Sequence, residues 1–390
     1  MPPPRDELLI PTDHGLWCAA GGFHIDPWKP VDRAVVTHAH SDHAVAGCGS
    51  YLCSPETAEL LKAKFGPQTP VQPLQYSTPL AIGGVSLSLH PAGHILGSAQ
   101  IRLQPTGAAA HAHGHAVWVV SGDYMARQGG GRGGGVGCAG ASDEHAQTCR
   151  AFEPLRCEVF ITESTFGLPI YRWRSHDEVM RDVNRWWTTN RAEGITSLLF
   201  GWALGKSQRI LASLDDSIGP IAVHGALERF NEVYTRLGAK LPSILRSTSE
   251  QAKSLRGSGI VLAPPSADRS PWMRRFGDVS TAYATGWMQI RGTRRRRSAQ
   301  RGFPLSDHSD WEGLLWAIEQ TGASRVGVTH GYTEPLARWL REKGLESWII
   351  PTRWEGEIAE TGQGSSSAGE ESPVAAGTER AADNGHEGSA

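Results

Sequence analysis

One short segment places three histidines and one aspartate within six residues, and it constrains the fold more than any other part of the chain. The segment His38-Ala39-His40-Ser41-Asp42-His43 follows the apolar run Ala34-Val35-Val36. Such a run is typical of a buried strand, so we expect the cluster at the carboxyl end of that strand. Imidazole and carboxylate groups are the ligands that zinc and similar divalent metals prefer. The H-x-H-x-D-H spacing favours a metal site over a histidine-rich surface loop, with the first two histidines directed at one ion and Asp42 and His43 at a second.

Two metal ions need more ligands than one loop can supply, and three later segments offer them. Each places a histidine or an aspartate beside a predicted strand: Gly93-His94, Ser121-Gly122-Asp123 and Thr329-His330-Gly331. A single residue of this kind is more often structural, but its recurrence along one chain favours a binuclear centre. The array His111-Ala112-His113-Gly114-His115 lies among alanine and glycine, so we expect it to be a solvent loop at a hairpin tip.

The amino-acid composition is consistent with an ordinary soluble enzyme. The chain has 390 residues, of which 39% are hydrophobic, and this length allows two domains. No apolar run reaches the roughly 18–20 residues of a membrane span, and the N-terminus has no hydrophobic signal core, so we expect a cytoplasmic protein without membrane contact. The six cysteines form no C-x-x-C pair and are interpreted as reduced thiols rather than a zinc knuckle.

Two features suggest contact with nucleic acid. Arginines crowd the region 269–301 and include the run Arg294, Arg295, Arg296 and Arg297. Guanidinium groups suit bidentate contact with phosphate, although a solvated loop or a salt-bridged face remains an alternative. Lys206 and Ser207 follow Gly205 at the start of a predicted helix, where backbone N–H groups could bind phosphate; a simple helix cap is the alternative.

The order of motifs along the chain resembles that of the metallo-β-lactamase-fold hydrolases and, within them, the β-CASP nucleases. The motifs are H-x-H-x-D-H, G-H-x-x-G-S, S-G-D-Y, T-E-S-T-F-G, S-D-H-S-D and T-H-G, in that order. Three longer segments are similar to the bacterial DNA-ligase-associated exonucleases: Ala20 to Trp28, Glu163 to Trp173 and Gly201 to Gln208. The resemblance extends over about residues 8–355.

The resemblance implies an α/β fold, a metallo-β-lactamase αββα sandwich with an inserted β-CASP α/β cap. The core would comprise residues 8–167 and 301–358, and the cap residues 168–300, where the pattern changes to alternating strands and helices. Strands are predicted at Ser197 to Phe200 and Ile221 to Val223, and helices at Val179 to Trp187 and Leu227 to Leu237. A glycine-rich insertion at 128–147 and a tail at 361–390 are expected to be disordered.

The same resemblance assigns roles to individual residues. His38, His40, His94 and Asp123 would hold one metal, and Asp42, His43, His330 and the shared Asp123 the second. Asp26 would orient a ligand, with Asp32 as a rival for that role. His308 would donate a proton and Glu163 would orient it; a metal ligand is the alternative for His308.

Two adjacent metals suit phosphodiester hydrolysis, because they supply a hydroxide nucleophile at neutral pH and clamp the phosphate oxygens. The resemblance implies zinc, with manganese as an alternative. It favours a DNA exonuclease that acts in DNA repair beside an ATP-dependent DNA ligase, with a helicase as a further candidate partner. An RNA-processing nuclease and a small-molecule hydrolase of the same fold remain the alternatives.

Overall fold

The computed structural model describes residues 7–126, 148–247, 250–290 and 300–352. Three earlier predictions therefore lie outside the described residues: the insertion at 128–147, the tail at 361–390 and the arginine run at 294–297. Within the described ranges, strands and helices form three sheets with helices packed on them, so the predicted mixed α/β class is confirmed.

The first sheet contains six strands in chain order. Its first three strands are antiparallel neighbours, and the rest are added in parallel. The strands are β1 (Ile10–Thr12), β2 (Gly15–Cys18), β3 (Phe23–Ile25), β4 (Ala34–Val35), β5 (Tyr51–Cys53) and β6 (Val71–Pro73). The helix α1 (Pro55–Phe65) follows β5. Its N-cap is Ser54, whose side chain accepts a hydrogen bond from the Thr57 N–H.

The second sheet contains seven strands from two distant parts of the chain. In chain order these are β7 (Leu80–Ile82), β8 (Val85–Pro91), β9 (Ala99–Pro105), β10 (Trp118–Val120), β11 (Val159–Ser164), β18 (Arg325–Gly331) and β19 (Glu346–Ile349). Strands β7 to β10 are antiparallel, whereas β11, β18 and β19 are added in parallel beside β10. The last two strands thus return to a sheet that the chain left more than a hundred residues earlier.

The two sheets share one hydrophobic core. Ile25 and Val35 of the first sheet pack with Leu89, Ile101 and Ile161 of the second in a buried cluster. The opposite face of the second sheet is covered by α6 (Trp311–Thr321) and α7 (Thr333–Glu342), and that of the first by α1. Burial on both faces explains why the central strands are almost wholly apolar.

The third sheet is entirely parallel and lies between β11 and β18 in sequence. Its spatial order is β14 (Ile244–Arg246), β13 (Ile221–Val223), β15 (Ile260–Ala263), β12 (Thr196–Phe200), β16 (Val279–Ala284) and β17 (Arg301–Phe303). The helix α3 (His176–Ala192) precedes β12, α4 (Lys206–Leu211) connects β12 to β13, and α5 (Gly225–Arg236) connects β13 to β14. The two strands and two helices predicted for this region are confirmed.

Two expectations were wrong. The histidine array does not form a loop, because α2 (Gly107–His113) contains His111 and His113; the preceding alanines have the highest helix propensity of all residues. Cys18, Cys48, Cys53 and Cys157 are free and buried, but Cys149 is disulfide-bonded, so not all six cysteines are reduced thiols. Among the described residues, no helix is both long and apolar enough to cross a bilayer.

Candidate metal centre

The H-x-H-x-D-H segment is a compact turn that follows β4. Asp26, just after β3, holds the residue that precedes this segment, because the Asp26 carboxylate accepts hydrogen bonds from the Thr37 N–H at 2.8 Å and the Thr37 hydroxyl at 2.6 Å. Within the turn, the His43 and Ala44 N–H groups donate to the His40 carbonyl. The Lys64 ammonium at the end of α1 donates to the Ala39 and Ala44 carbonyls. Contacts on several sides therefore fix the direction of each side chain.

Four side chains converge in a first group of candidate ligands. The ligand atoms of His38, His40, His94 and Asp123 all lie within 4.8 Å of one another. Asp123 Oδ2 is 3.6 Å from His38 Nε2 and 3.9 Å from His94 Nε2, and His94 Nε2 is 3.1 Å from His40 Nδ1. Three imidazoles and a carboxylate thus face one point, from the segments that follow β4, β8 and β10.

A second group lies directly beside the first. It comprises Asp42, His43 and His330, whose ligand atoms also lie within 4.8 Å of one another. The His43 and His330 rings stack with their centroids 4.9 Å apart, and His43 Nε2 lies 3.3 Å from Asp123 Oδ2. Asp123 therefore contacts residues of both groups. The structure brings together all seven residues that the sequence identified as candidate ligands.

Each imidazole in these groups has a hydrogen-bond partner for the nitrogen that faces away from the centre. The pairs are His38 Nδ1 with Thr37 Oγ1 (3.1 Å), His40 Nε2 with the Leu204 carbonyl (3.1 Å), His43 Nδ1 with Asp26 Oδ2 (2.8 Å), His94 Nδ1 with the Asp307 carbonyl (2.8 Å) and His330 Nδ1 with Thr329 Oγ1 (2.9 Å). Such partners set the tautomer and ring orientation of metal-binding histidines. Asp32, the rival of Asp26, is exposed and has no such contact with a ligand.

Polar atoms inside the centre support a metal ion as their missing partner. His38 Nε2, His43 Nε2 and Asp123 Oδ1 are buried and make no hydrogen bond with any residue that the structure describes. Buried polar atoms without partners are costly, and metal coordination would satisfy all three. Nitrogen and carboxylate donors suit zinc and several other divalent cations, so the residues fit metal ions without identifying which one.

The charges of the surrounding carboxylates favour a bound cation in the cluster. Burial, together with the neighbouring His43, holds the pKa of His38 well below its usual value, so His38 is a neutral ligand. Burial raises the pKa of a carboxyl, but His43 and His308 outweigh it and hold the pKa of Asp123 well below its ordinary range. Asp123 is therefore a carboxylate. Burial opposes a charge on His43, yet Asp123, Asp42 and Asp26 together raise its pKa well above the usual value.

Glu163 and His308 form a buried pair beside the first group. His308 Nδ1 lies 2.9 Å from Glu163 Oε2, and the Tyr124 N–H donates to Glu163 Oε1 at 2.8 Å. Burial would lower the pKa of His308, but Glu163 and Asp123 outweigh it and raise that pKa to about 10. The His308 and His94 rings are 4.6 Å apart. His308 also lies within ligand distance of Asp123, so the geometry is compatible with a proton donor and with a ligand.

The backbone is strained at two of these positions. Asp26 and His330 have left-handed φ angles of 44° and 50°, which side-chain-bearing residues rarely adopt. Such conformations cost about 1–3 kcal/mol each and concentrate at functional sites. Gly122 also has a positive φ, of 57°, and a Cβ there would lie 2.6 Å from Thr37 Cβ. A glycine is thus required between β10 and Asp123.

Lys206 and Ser207, which the sequence suggested as phosphate contacts, are buried. Both residues are 1% exposed and have partners inside the protein. Lys206 Nζ instead lies 3.1 Å from Asp307 Oδ1, and the Ser207 hydroxyl donates to the Trp202 carbonyl at 2.6 Å. Sequence reasoning missed the carbonyls of Leu204 and Asp307 as partners of ligands. No sequence signal marks a backbone carbonyl, although Asp307 does adjoin His308.

The chain is similar to segments of longer known proteins. A probable DNA ligase of Opitutus terrae is 33% identical to it over 343 residues, which are 87% of this chain and 31% of that protein. The endoribonuclease ysh-1 of Neurospora crassa is 24% identical over 217 residues, which are 53% of this chain and 22% of that protein. The endoribonuclease YSH1 of Gibberella zeae is 24% identical over 151 residues, 38% of this chain and 15% of that protein.

The curated relatives are longer than this chain. The chain spans less than a third of the length of each curated relative, so the similarity concerns a part of each protein. No family model matches the chain. Among solved structures, a protein of unknown function from Enterococcus faecalis V583 has a TM-score of 0.53 and 12% identity, over 83% of this chain and 80% of that one. This likeness concerns the fold alone.

Proposed function

We propose that the chain is a metallo-β-lactamase-fold protein of the β-CASP group, with the third sheet as its inserted cap. The motif order supports this proposal, as does the return of β18 and β19 to the sheet of β7 to β11 after the parallel sheet. The proposed core is 8–167 and 301–358, and the proposed cap is 168–300. The pairing of β17 with β16 supports a cap that extends to Phe303.

The proposed activity is metal-dependent hydrolysis of phosphodiester bonds in nucleic acid. The observation that carries it is the convergence of two adjacent ligand groups on Asp123, directly beside the Glu163–His308 pair. His38, His40, His94 and Asp123 would hold one cation, and Asp42, His43, His330 and Asp123 the other. When bound, a pair of divalent cations supplies a water-derived nucleophile near neutral pH and neutralises charge on the phosphate oxygens.

The residues around the ligands have distinct proposed roles. His308 is paired with the buried carboxylate of Glu163, which favours the protonated ring, and it donates a proton to the departing alkoxide. Glu163 holds the His308 ring through Nδ1, while the Tyr124 and Thr165 N–H groups fix its carboxylate. Asp26 orients His43 through Nδ1. General acid catalysis of this kind contributes roughly 10²–10⁴-fold to a rate.

We further propose DNA as the substrate, with exonucleolytic cleavage in repair beside an ATP-dependent ligase. The support is that a protein named as a probable DNA ligase contains a segment similar to 87% of this chain. RNA is the second candidate, because the other two relatives are named endoribonucleases. A small-molecule hydrolase is less favoured, since the Glu163–His308 pair and the large third sheet would have no evident use there.

The test is digestion of end-labelled single-stranded DNA and RNA of the same sequence by zinc- or manganese-loaded protein, with Asp42→Ala as the inactive control. We expect the wild-type protein to shorten the DNA stepwise and the Asp42→Ala variant to leave it intact. Cleavage confined to RNA would replace the DNA proposal with RNA processing. If neither polymer is cut by protein that contains two metals, the nuclease proposal is wrong.

A further inference from the structure

We propose that the buried Lys206–Asp307 ion pair is a positioning pair, which orients His40 and His94 and thereby sets the metal affinity of the first ligand group. The proposal rests on the metal centre described under the proposed function. It assigns Lys206 a structural partner inside the protein in place of a phosphate of the substrate.

The two residues adjoin the two carbonyls that hold the ligand rings. The Leu204 carbonyl, two residues before Lys206, accepts from His40 Nε2, which leaves Nδ1 of that ring to face the centre. The carbonyl of Asp307 itself accepts from His94 Nδ1, which leaves Nε2 to face the centre. Both tautomers therefore depend on the positions of short segments that lie far from their ligands in sequence.

The ion pair joins these segments. Lys206 Nζ lies 3.1 Å from Asp307 Oδ1, and both side chains are almost fully buried, at 1% and 3% exposure. In a buried environment, loss of one partner leaves an uncompensated charge, which the surrounding chain must move to solvate. Any such movement displaces the carbonyls that orient His40 and His94.

The segment before α4 is otherwise closely fixed. Gln208 accepts from the Gly205 N–H at 2.7 Å and donates to the Ala203 carbonyl at 3.0 Å and to Asn231 at 2.7 Å. Gly205 has a φ of 90°, and a Cβ there would overlap the side chain of Ile95, the neighbour of His94. The start of α4 is thus packed directly onto the turn that bears His94.

The segment that bears Asp307 is fixed from the same helix. Arg209 Nη1 donates to the Ser306 carbonyl at 2.8 Å, and the Ser306 hydroxyl accepts from the His308 N–H at 3.0 Å. Two cationic side chains of α4, Lys206 and Arg209, therefore bind consecutive residues of the segment 306–308. These contacts make α4 a brace between the third sheet and the metal centre.

Among the residues that the structure describes, the second ligand group has no corresponding contact with this brace. Its histidines are oriented by Asp26 and Thr329, which belong to the first two sheets. Loss of the ion pair should therefore weaken one metal site selectively. A general loss of folding would weaken both, and a lost phosphate contact would weaken neither.

The experiment compares Lys206→Met with wild type by zinc competition against a chromophoric chelator, in which the two binding steps are resolved. The control is Lys62→Met, because Lys62 forms a partly exposed ion pair with Glu59 in α1. We expect one zinc to bind roughly 10–100-fold more weakly in Lys206→Met, the usual effect of losing a group that orients a metal ligand, and the other to change little. The control should match wild type.

Imidazole ¹⁵N spectra of the metal-free protein supply a readout that does not depend on activity. The tautomers of His40 and His94 should become mixed in Lys206→Met, while that of His43 stays as in wild type. If Lys206→Met does not fold, Lys206→Met/Asp307→Asn leaves no unpaired charge and should fold. Because it still lacks the contact between the two segments, it should show a selective zinc loss that is smaller than that of a folded single variant.

Three outcomes would overturn the proposal. Folded Lys206→Met, or the double variant, could bind both zinc ions with wild-type affinity. It could lose both sites equally. It could retain zinc but bind single-stranded DNA more weakly than the Lys62→Met control, which would restore a phosphate contact. None of these depends on cleavage, so the positioning role can fail while the proposed nuclease activity stands.

Discussion

Substitution of Asp26 by asparagine tests how the outer partners of the metal ligands contribute to binding. Asp26 Oδ2 lies 2.8 Å from His43 Nδ1, and Oδ1 accepts from the Thr37 N–H, also at 2.8 Å. Asparagine keeps the size and one acceptor for Thr37, but its amide must then present N–H groups to His43. It also tolerates the left-handed φ of 44°, at which alanine would be strained by about 1–2 kcal/mol.

The expected effect can be estimated from this geometry. Loss of the carboxylate removes the acceptor that fixes the Nδ1–H tautomer of His43, and such losses typically weaken metal binding by about 10–100-fold. The corresponding free energy of binding is about 1.4–2.7 kcal/mol. Because His43 belongs to the second ligand group, the effect should fall on the zinc that Lys206→Met leaves nearly unchanged.

Zinc competition and thermal unfolding of the metal-free protein measure this effect, with Asp32→Asn as the matched control. Asp32 is exposed and makes no contact with a ligand, so Asp32→Asn should bind both zinc ions like wild type. Weaker zinc binding in Asp32→Asn, together with unchanged binding in Asp26→Asn, would refute the reasoning and reverse the assignment of the early aspartate.

Four further predictions concern the same centre. Asp42→Ala should remain folded but lose the second metal and nearly all cleavage; full activity would rule out a binuclear centre. His308→Ala should keep two metals and cut turnover by roughly 10²–10⁴-fold, whereas a lower metal content would make His308 a ligand. Gly122→Ala should lower the free energy of unfolding by about 1–3 kcal/mol in urea titrations, because its backbone is left-handed and its Cβ would collide with Thr37. A chelator should abolish cleavage, and added zinc or manganese should restore it; chelator-resistant cleavage would exclude metal dependence.

The types of ligand were readable from the sequence because the relevant signals are local. The H-x-H-x-D-H segment and the strand-end residues His94, Asp123 and His330 combine ligand chemistry with short apolar runs. Those runs became β4, β8, β10 and β18, as hydrophobic patterning predicts. The helix α2 was missed because the histidine pattern was weighed above the helix propensity of the adjacent alanines.

The partners of the ligands could not be predicted in the same way. His94 Nδ1 bonds to the carbonyl of Asp307, 213 residues away, and every residue type offers the same carbonyl. The burial of Lys206 could not be predicted for a related reason. A lysine after a glycine at a helix start is compatible with a phosphate contact, and only the packing of α4 against the segment 306–308 places it beside a buried carboxylate.

By itself, then, the sequence determined which side chains carry the chemistry, since ligand identity and strand patterning are properties of neighbouring residues. Tertiary structure alone decided how these side chains are used. It determines which nitrogen of each histidine faces the centre and which aspartate holds His43. It also determines which lysine side chains are buried and which are exposed. The physical reason is that tautomer, burial and charge compensation depend on atoms brought together from distant parts of the chain.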